Sequence, residues 1–328
     1  MPKSKAFSVV EMLVVISVFM VLLTLLLPAL SKARDQAMYV QWRAYSHALD
    51  NDSEIAVHFN FEDQTGEEMN KKGWPLLYNR AMVDAMKVTT SPGAEDGQGQ
   101  LGFGNIATKP EWDMTGGRFT NKPALDFDGT DDFIAINKTY GKGELPAMTV
   151  AVWVMSENSA SSQYLMSFDR SENFRFALKD GASNNVGFDT ASFKNKNCCI
   201  SDLRTSEGFT DGRWHLVVGT YDMAGTGNRK QIFVDGRKVA TTRPNKEVDP
   251  HKGLPLGQGG WAPYTHERGR RRTYGFVGCG SEGFTFGKRP GPRAHLDGLI
   301  DEVVLLERAL TPDEIMNMYK MGAPIGRR

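Results

Sequence analysis

The chain has 328 residues, 40% hydrophobic and 24% charged, and Lys plus Arg balance Asp plus Glu at 39 each. A chain without net charge offers no global positive field, which argues against nucleic acid as a partner. Its 34 glycines follow no repeat period and suit a β protein with many turns rather than collagen, and its three cysteines are too few for a structural zinc site.

Lys3 and Lys5 precede an apolar stretch over residues 7–27 in which Glu11 is the sole charged residue. That length suffices for one bilayer crossing. Positive charge before the helix, and the bulk of the chain after it, predict a single-pass protein in the inner (cytoplasmic) membrane with its C-terminal domain outside the cytoplasm. A carboxylate in an apolar helix costs roughly 2.5–3.5 kcal/mol, so Glu11 calls for a partner.

The run Ala6-Phe7-Ser8-Val9-Val10-Glu11-Met12-Leu13 resembles the processing motif of type IV pilins and type II secretion pseudopilins. The resemblance implies cleavage by a prepilin peptidase between Ala6 and Phe7, methylation of the new N-terminus at Phe7, and self-assembly with other pilin or pseudopilin subunits. In such a filament Glu11 neutralises the α-amino group of a neighbour as the helices pack in lipid. Pro28 stands where many of these subunits carry a helix-weakening proline. The departure is Ala6, where the family usually has glycine. Two other readings compete: a signal peptide cut after Ala33, and a plain N-terminal anchor. Neither gives Glu11 a reason.

Beyond Pro28, Leu30, Ala33, Ala37, Val40, Ala44 and Ala48 recur every three to four residues, which predicts that the helix runs on to about Leu49 with this stripe as its packing face. The whole helix would reach about 65 Å, half in lipid and half on the head or on neighbours. Asp50-Asn51-Asp52-Ser53 ends it with turn formers.

From Glu54 onward, short β-branched runs such as Ile55-Ala56-Val57-His58-Phe59, Val150-Ala151-Val152-Trp153-Val154 and Val303-Val304-Leu305-Leu306 alternate with turn signals. Strands without intervening helices predict an antiparallel sandwich. The ordered series Leu125-Asp126-Phe127-Asp128-Gly129-Thr130, Val150-Ala151-Val152-Trp153-Val154, Asp211-Gly212-Arg213-Trp214-His215, Phe233-Val234-Asp235-Gly236 and Leu296-Asp297-Gly298-Leu299-Ile300-Asp301 resembles laminin-G-like, concanavalin A-like jelly rolls. The expected fold is therefore mainly β: a long transmembrane helix followed by a jelly-roll sandwich. Expected divisions are a leader over residues 1–6, the helix over 7–50, the jelly roll over 54–322 and a tail over 323–328. The sandwich is expected to complete its core without the helix. A short helix opening at Leu310-Thr311-Pro312 closes the series.

The jelly-roll resemblance implies binding of glycans or extracellular proteins, and in some members of calcium. Asp126, Asp128, Asp131 and Asp132 crowd one turn, and Asp301-Glu302 are placed near them by the resemblance, so Ca²⁺ ligands are available, with Asp128, Asp131 and Asp301 as the candidate set. Asx-turn hydrogen bonding is the competing and better-supported account of the same residues. No other cofactor is indicated. An enzyme is not expected: Glu247 and Asp249 run into Pro250 within a loop, and Asp301 and Glu302, adjacent on a strand, should point to opposite faces. Trp153, Trp214 and His215 read as packing residues. Residues 244–283 fall outside the family pattern and carry Trp261, Tyr264, Arg271 and Tyr274, a set suited to a sugar, an acidic polymer or a neighbouring subunit; a solvated loop is the equal alternative. Cys279 could form a disulfide with Cys198 or Cys199, or all three could be free thiols.

Overall fold

The structure is a computed structural model that describes residues 8–62, 76–77, 99–101, 109–137, 143–145, 147–168, 174–179, 184–190, 200–222, 230–241, 254–256, 274–280 and 294–324. Helix α1 spans Val9–Leu49 and α2 spans Pro312–Gly322. Among the described residues the strands form two eight-stranded antiparallel sheets and one small ribbon.

The first sheet runs Arg237–Thr241, Lys230–Val234, His215–Asp222, Ala147–Met155, Asp297–Leu306, Ala124–Asp128, Glu111–Asp113, and Ile55–Phe59 also pairs with Asp297–Leu306. Both helices lie on this sheet, so it is called the helix-side sheet. The far sheet runs Ile200–Arg204, Gly187–Thr190, Phe174–Lys179, Gln163–Phe168, Tyr274–Val277, Ile134–Asn137, Gly99–Leu101, Leu76–Leu77. The sequence-predicted sandwich is thus present.

The central strands read as continuous apolar runs because the helix-side sheet is covered twice. Val150, Val152 and Val154 face the core between the sheets, together with Val217, Val303 and Leu305. Their neighbours Ala151, Trp153, Leu216, Val218, Val304 and Leu306 face a second apolar layer with Leu49, Ile315 and Met318. Successive side chains on a strand alternate faces, so each face must find its own cover.

Helix α1 begins with a reciprocal cap. Ser8 Oγ accepts the Glu11 N–H at 3.2 Å, and the Glu11 carboxylate accepts the Ser8 N–H at 2.8 Å and its hydroxyl at 2.9 Å. Its most apolar window is wholly exposed within the chain, with Val9, Leu13, Val15, Phe19, Leu25 and Leu27 all facing outward. Pro28 lies inside the helix and removes one backbone bond without ending it.

The C-terminal half of α1 packs on the sheet, but through a different face from the predicted stripe. Leu30, Ala33, Ala37, Val40, Ala44 and Ala48 are exposed, while Trp42, Ser46 and Leu49 are buried. The large side chains decide the face: Trp42 stacks on Tyr39 at 5.8 Å and meets Phe119 at 5.8 Å, contacts that alanines cannot supply. The C-terminal half of α1 therefore covers part of the outer face of the helix-side sheet, while the apolar cluster between the two sheets draws on no residue of α1. At the other end, Thr311 and Glu314 form a second capping box, with Pro312 opening α2 as predicted.

Candidate functional site

The most elaborate polar cluster lies where α1 meets the helix-side sheet. It begins with a β-bulge in the Asp297–Leu306 strand: Ile300 pairs with Val154 and Glu302 with Trp153, leaving Asp301 as the extra residue. A bulge re-aims side chains. Asp301 and Glu302, predicted to point to opposite faces, both meet one guanidinium group instead, with Arg118 Nη2 3.0 Å from Asp301 Oδ1 and 2.7 Å from Glu302 Oε2.

Arg118 and Lys122 come from the turn over residues 117–122, which closes through Gly117 N–H to the Lys122 carbonyl at 2.9 Å. Gly117 is needed there because a Cβ would stand 2.4 Å from that carbonyl oxygen and 2.9 Å from Asp301 Oδ2. Lys122 pairs with Asp301, and its ammonium donates to the carbonyls of Asn60 at 2.9 Å and Asp301 at 3.0 Å. Arg118 also donates to the Gly322 carbonyl at 3.1 Å, tying in the end of α2, and lies over the Trp153 ring at 4.2 Å. Arg118, Lys122 and Asp301 are all fully buried, the arrangement that charged groups require when removed from water.

From the helix, the Trp42 indole N–H donates to Glu302 Oε2 at 2.9 Å, and Lys122 Nζ lies 4.5 Å from the Trp42 ring centroid. His58, in the Ile55–Phe59 strand, bridges Asp50 Oδ1 at 2.6 Å and Glu302 Oε1 at 3.0 Å. Burial pushes the Glu302 carboxyl up, yet Arg118 and His58 outweigh it and hold the group at about 2. For His58, burial disfavours the charge, and the bonds to Asp50 and Glu302 more than restore it, raising the pKa. Burial draws Lys122 below the ordinary lysine range while Asp301 opposes. All these charges are committed to one another under α1, so the cluster fastens the helix to the sheet.

The acidic turn is a separate feature. Asp128, Asp131 and Asp132 bring carboxylate oxygens within 4.8 Å of one another, and Asp301 lies in the helix–sheet cluster instead. Asp132, one of the four aspartates of that turn, takes the place expected of Asp301. Asp128 Oδ1 accepts the N–H groups of Thr130 at 2.8 Å and Asp131 at 3.3 Å, and Asp132 Oδ2 accepts that of Asp128 at 2.9 Å. Burial pushes the Asp132 carboxyl up to about 6, with the charges of Asp128 and Asp131 adding to it and the Asp128 N–H opposing. The oxygens are hard ligands of the kind Ca²⁺ takes, and two of them already hold the turn together by accepting its backbone N–H groups.

His215 is a half-buried strand histidine, as expected, but it also bridges Asp235 Oδ2 at 2.8 Å and Asp211 Oδ1 at 3.0 Å. Asp235 and Gly236 form the predicted hairpin turn, with φ of 51° and 76°. Trp153 and Trp214 are buried, and Cys279 is a buried free thiol, so the disulfide alternative is not formed there. Tyr274 begins a strand of the far sheet, paired with Asn137. Ala6, Phe7, Cys198, Cys199, Trp261, Tyr264 and Arg271 lie outside the described residues.

Residues 128–275 match the concanavalin A-like lectin/glucanases superfamily. Among curated proteins none matches this sequence. Solved structures similar to the chain include the receptor binding domain of botulinum neurotoxin D, 11% identical, with 82% of this chain and 52% of that one covered and a TM-score of 0.46. Another is domain 4 of AbnA, a GH43 extracellular arabinanase from Geobacillus stearothermophilus, in complex with arabinotriose: 15% identical, 81% and 98% covered, TM-score 0.44. The chain spans about half the length of the neurotoxin receptor binding domains it matches, 51% of the C/D mosaic serotype domain and 52% of the serotype D domain. The superfamily match over residues 128–275 and the two stacked antiparallel sheets agree: the chain carries a mostly β sandwich consistent with a concanavalin A-like jelly roll, behind a long apolar N-terminal helix.

Proposed function

We propose that the chain is a non-enzymatic type IV pilin-like or pseudopilin-like filament subunit that displays a concanavalin A-like head outside the cytoplasm. The observation that carries this reading is the division of α1: one continuous helix whose first half is apolar and exposed, and whose second half is clamped to the head. Such a helix needs an apolar surrounding for one half, supplied by lipid and by the same half of neighbouring subunits, while the other half makes the head move with it. The motif around Ala6, Phe7 and Glu11 supports processing by a prepilin peptidase, and the capping box survives that cut because Ser8 lies beyond it.

A second reading is a membrane-anchored module that binds carbohydrate or protein through the jelly roll and does not polymerise. The capping box favours it, because Ser8 gives Glu11 a partner within its own chain. Mass spectrometry of the N-terminal peptide, from protein produced alongside a prepilin peptidase, separates the two. A peptide beginning at N-methylated Phe7 is expected. A chain that keeps Met1 supports the anchor, and one that begins at Arg34 returns the segment to an ordinary signal peptide.

A further inference from the structure

We propose that His58 is a proton-operated latch between α1 and the helix-side sheet, closed by its imidazolium form and released when the ring loses a proton. This inference concerns the joint alone and holds whether or not the helix assembles into a filament.

The geometry carries it. A neutral imidazole has one N–H donor and one bare acceptor nitrogen, whereas an ionised carboxylate only accepts. The two ring nitrogens of His58 stand 2.6 Å from Asp50 Oδ1 and 3.0 Å from Glu302 Oε1, and the side chain is fully buried. Both contacts are attractive only if both nitrogens carry protons. Charge counting agrees: Asp50, Asp301 and Glu302 bring three negative charges, and Arg118 and Lys122 bring two positive ones. The cluster is neutral when His58 supplies the third. The bridge also spans two elements. Asp50 is the C-cap of α1, while Glu302 belongs to the sheet.

Other groups facing the cluster do not replace this role. On α1, His47 approaches the second oxygen of Asp50 at 3.6 Å from an exposed position, and the Trp42 indole has no proton to lose in this range. Beyond the His58 strand, Glu62 is engaged by Tyr39 and Arg43, and Arg308 holds Asp52 and Glu54 one turn past the helix. Lys122 titrates in the opposite sense, because its pKa is drawn down rather than up. The raised pKa of His58 sets the sign. Its contribution is fully present below the unfolded value of about 6.5 and is lost as pH rises through the folded value.

The test is amide hydrogen exchange over residues 42–49 of the full chain in detergent micelles, from about pH 6.5 to about pH 9, corrected for intrinsic base catalysis. Wild-type protein should open more readily as pH rises, by up to about tenfold per pH unit for one proton released. His58→Gln should abolish the slope. His215→Gln, which removes the other histidine held between two carboxylates, should keep it. Wild-type protection that does not change with pH, or a slope that persists in His58→Gln, overturns the latch. Should His58→Gln not fold, nitrogen-15 spectra of the wild-type ring decide alone. Protons on both ring nitrogens are expected at about pH 6.5, where an unperturbed imidazole is half protonated, and one bare nitrogen there overturns the proposal.

Discussion

Replacing Trp42 by alanine should release the helix from the head. The ring is buried against Tyr39 and Phe119, close to Arg118 and Lys122, and its N–H is one of two donors on Glu302 Oε2. Truncating a buried aromatic costs about 3–5 kcal/mol, and hydrogen bonds to charged groups contribute about 1.5–3 kcal/mol. The two overlap at one residue, so a loss of about 5 kcal/mol is expected. That is a large share of the ~5–15 kcal/mol that holds an ordinary domain. Trp42→Phe keeps most of the ring and drops only the donor, so it should lose about 1.5–3 kcal/mol. Urea denaturation of the full chain in micelles, followed by near-UV circular dichroism, measures both. A Trp42→Ala loss below about 1 kcal/mol would refute the claim that this side chain fastens the joint, and equal losses for the two variants would put all the energy in the hydrogen bond.

Asp301→Asn leaves Lys122 and part of the Arg118 charge buried without compensation, and should shift the urea midpoint by the equivalent of about 3–5 kcal/mol. A fragment of residues 54–328 should aggregate, because Ala151, Trp153 and Val304 lose their cover, whereas residues 36–328 should elute as a single species on size exclusion. Glu302 is held at about 2 against its usual 4.5, so its contribution is present above about pH 4.5 and lost as pH falls toward 2. An acid titration followed by near-UV circular dichroism should show loss of the joint in that window, and not between about pH 7 and about pH 5. Adding Ca²⁺ to about 1 mM should leave the melting temperature unchanged if the Asp128–Asp132 turn is held only by its own N–H groups, and a rise would show that the cluster takes the ion.

Strand alternation, the turn at Asp235-Gly236 and the cap at Thr311 were legible in the sequence because each is a local rule read over a few residues. The helix was legible in extent but not in orientation. A 3.6-residue period finds a stripe of alanines as readily as the true face, and only the area of Trp42 and its neighbours chooses between them. The helix–sheet cluster was not legible. Arg118 and Lys122 belong to no periodic run, and their partners Asp301 and Glu302 are about 180 positions away. The alternation rule also misplaced that carboxylate pair, since a bulge leaves no mark in the residue types. One signal was available: His58, Asp301 and Glu302 each interrupt an otherwise apolar strand, and polar residues there must find one another or ions of opposite sign.

Helix α1 has 41 residues, about 62 Å of rod, and its last three turns are welded to the sheet by charges and an aromatic clamp. Whatever holds the first half therefore sets the attitude of the head. A sideways load on the jelly roll becomes a torque on the rod, and the weakest section is at Pro28, where the Thr24 carbonyl has no helical N–H to receive. Bending should concentrate there, so that the head and the segment beyond Pro28 swing as one rigid arm from a pivot at the end of the exposed apolar stretch.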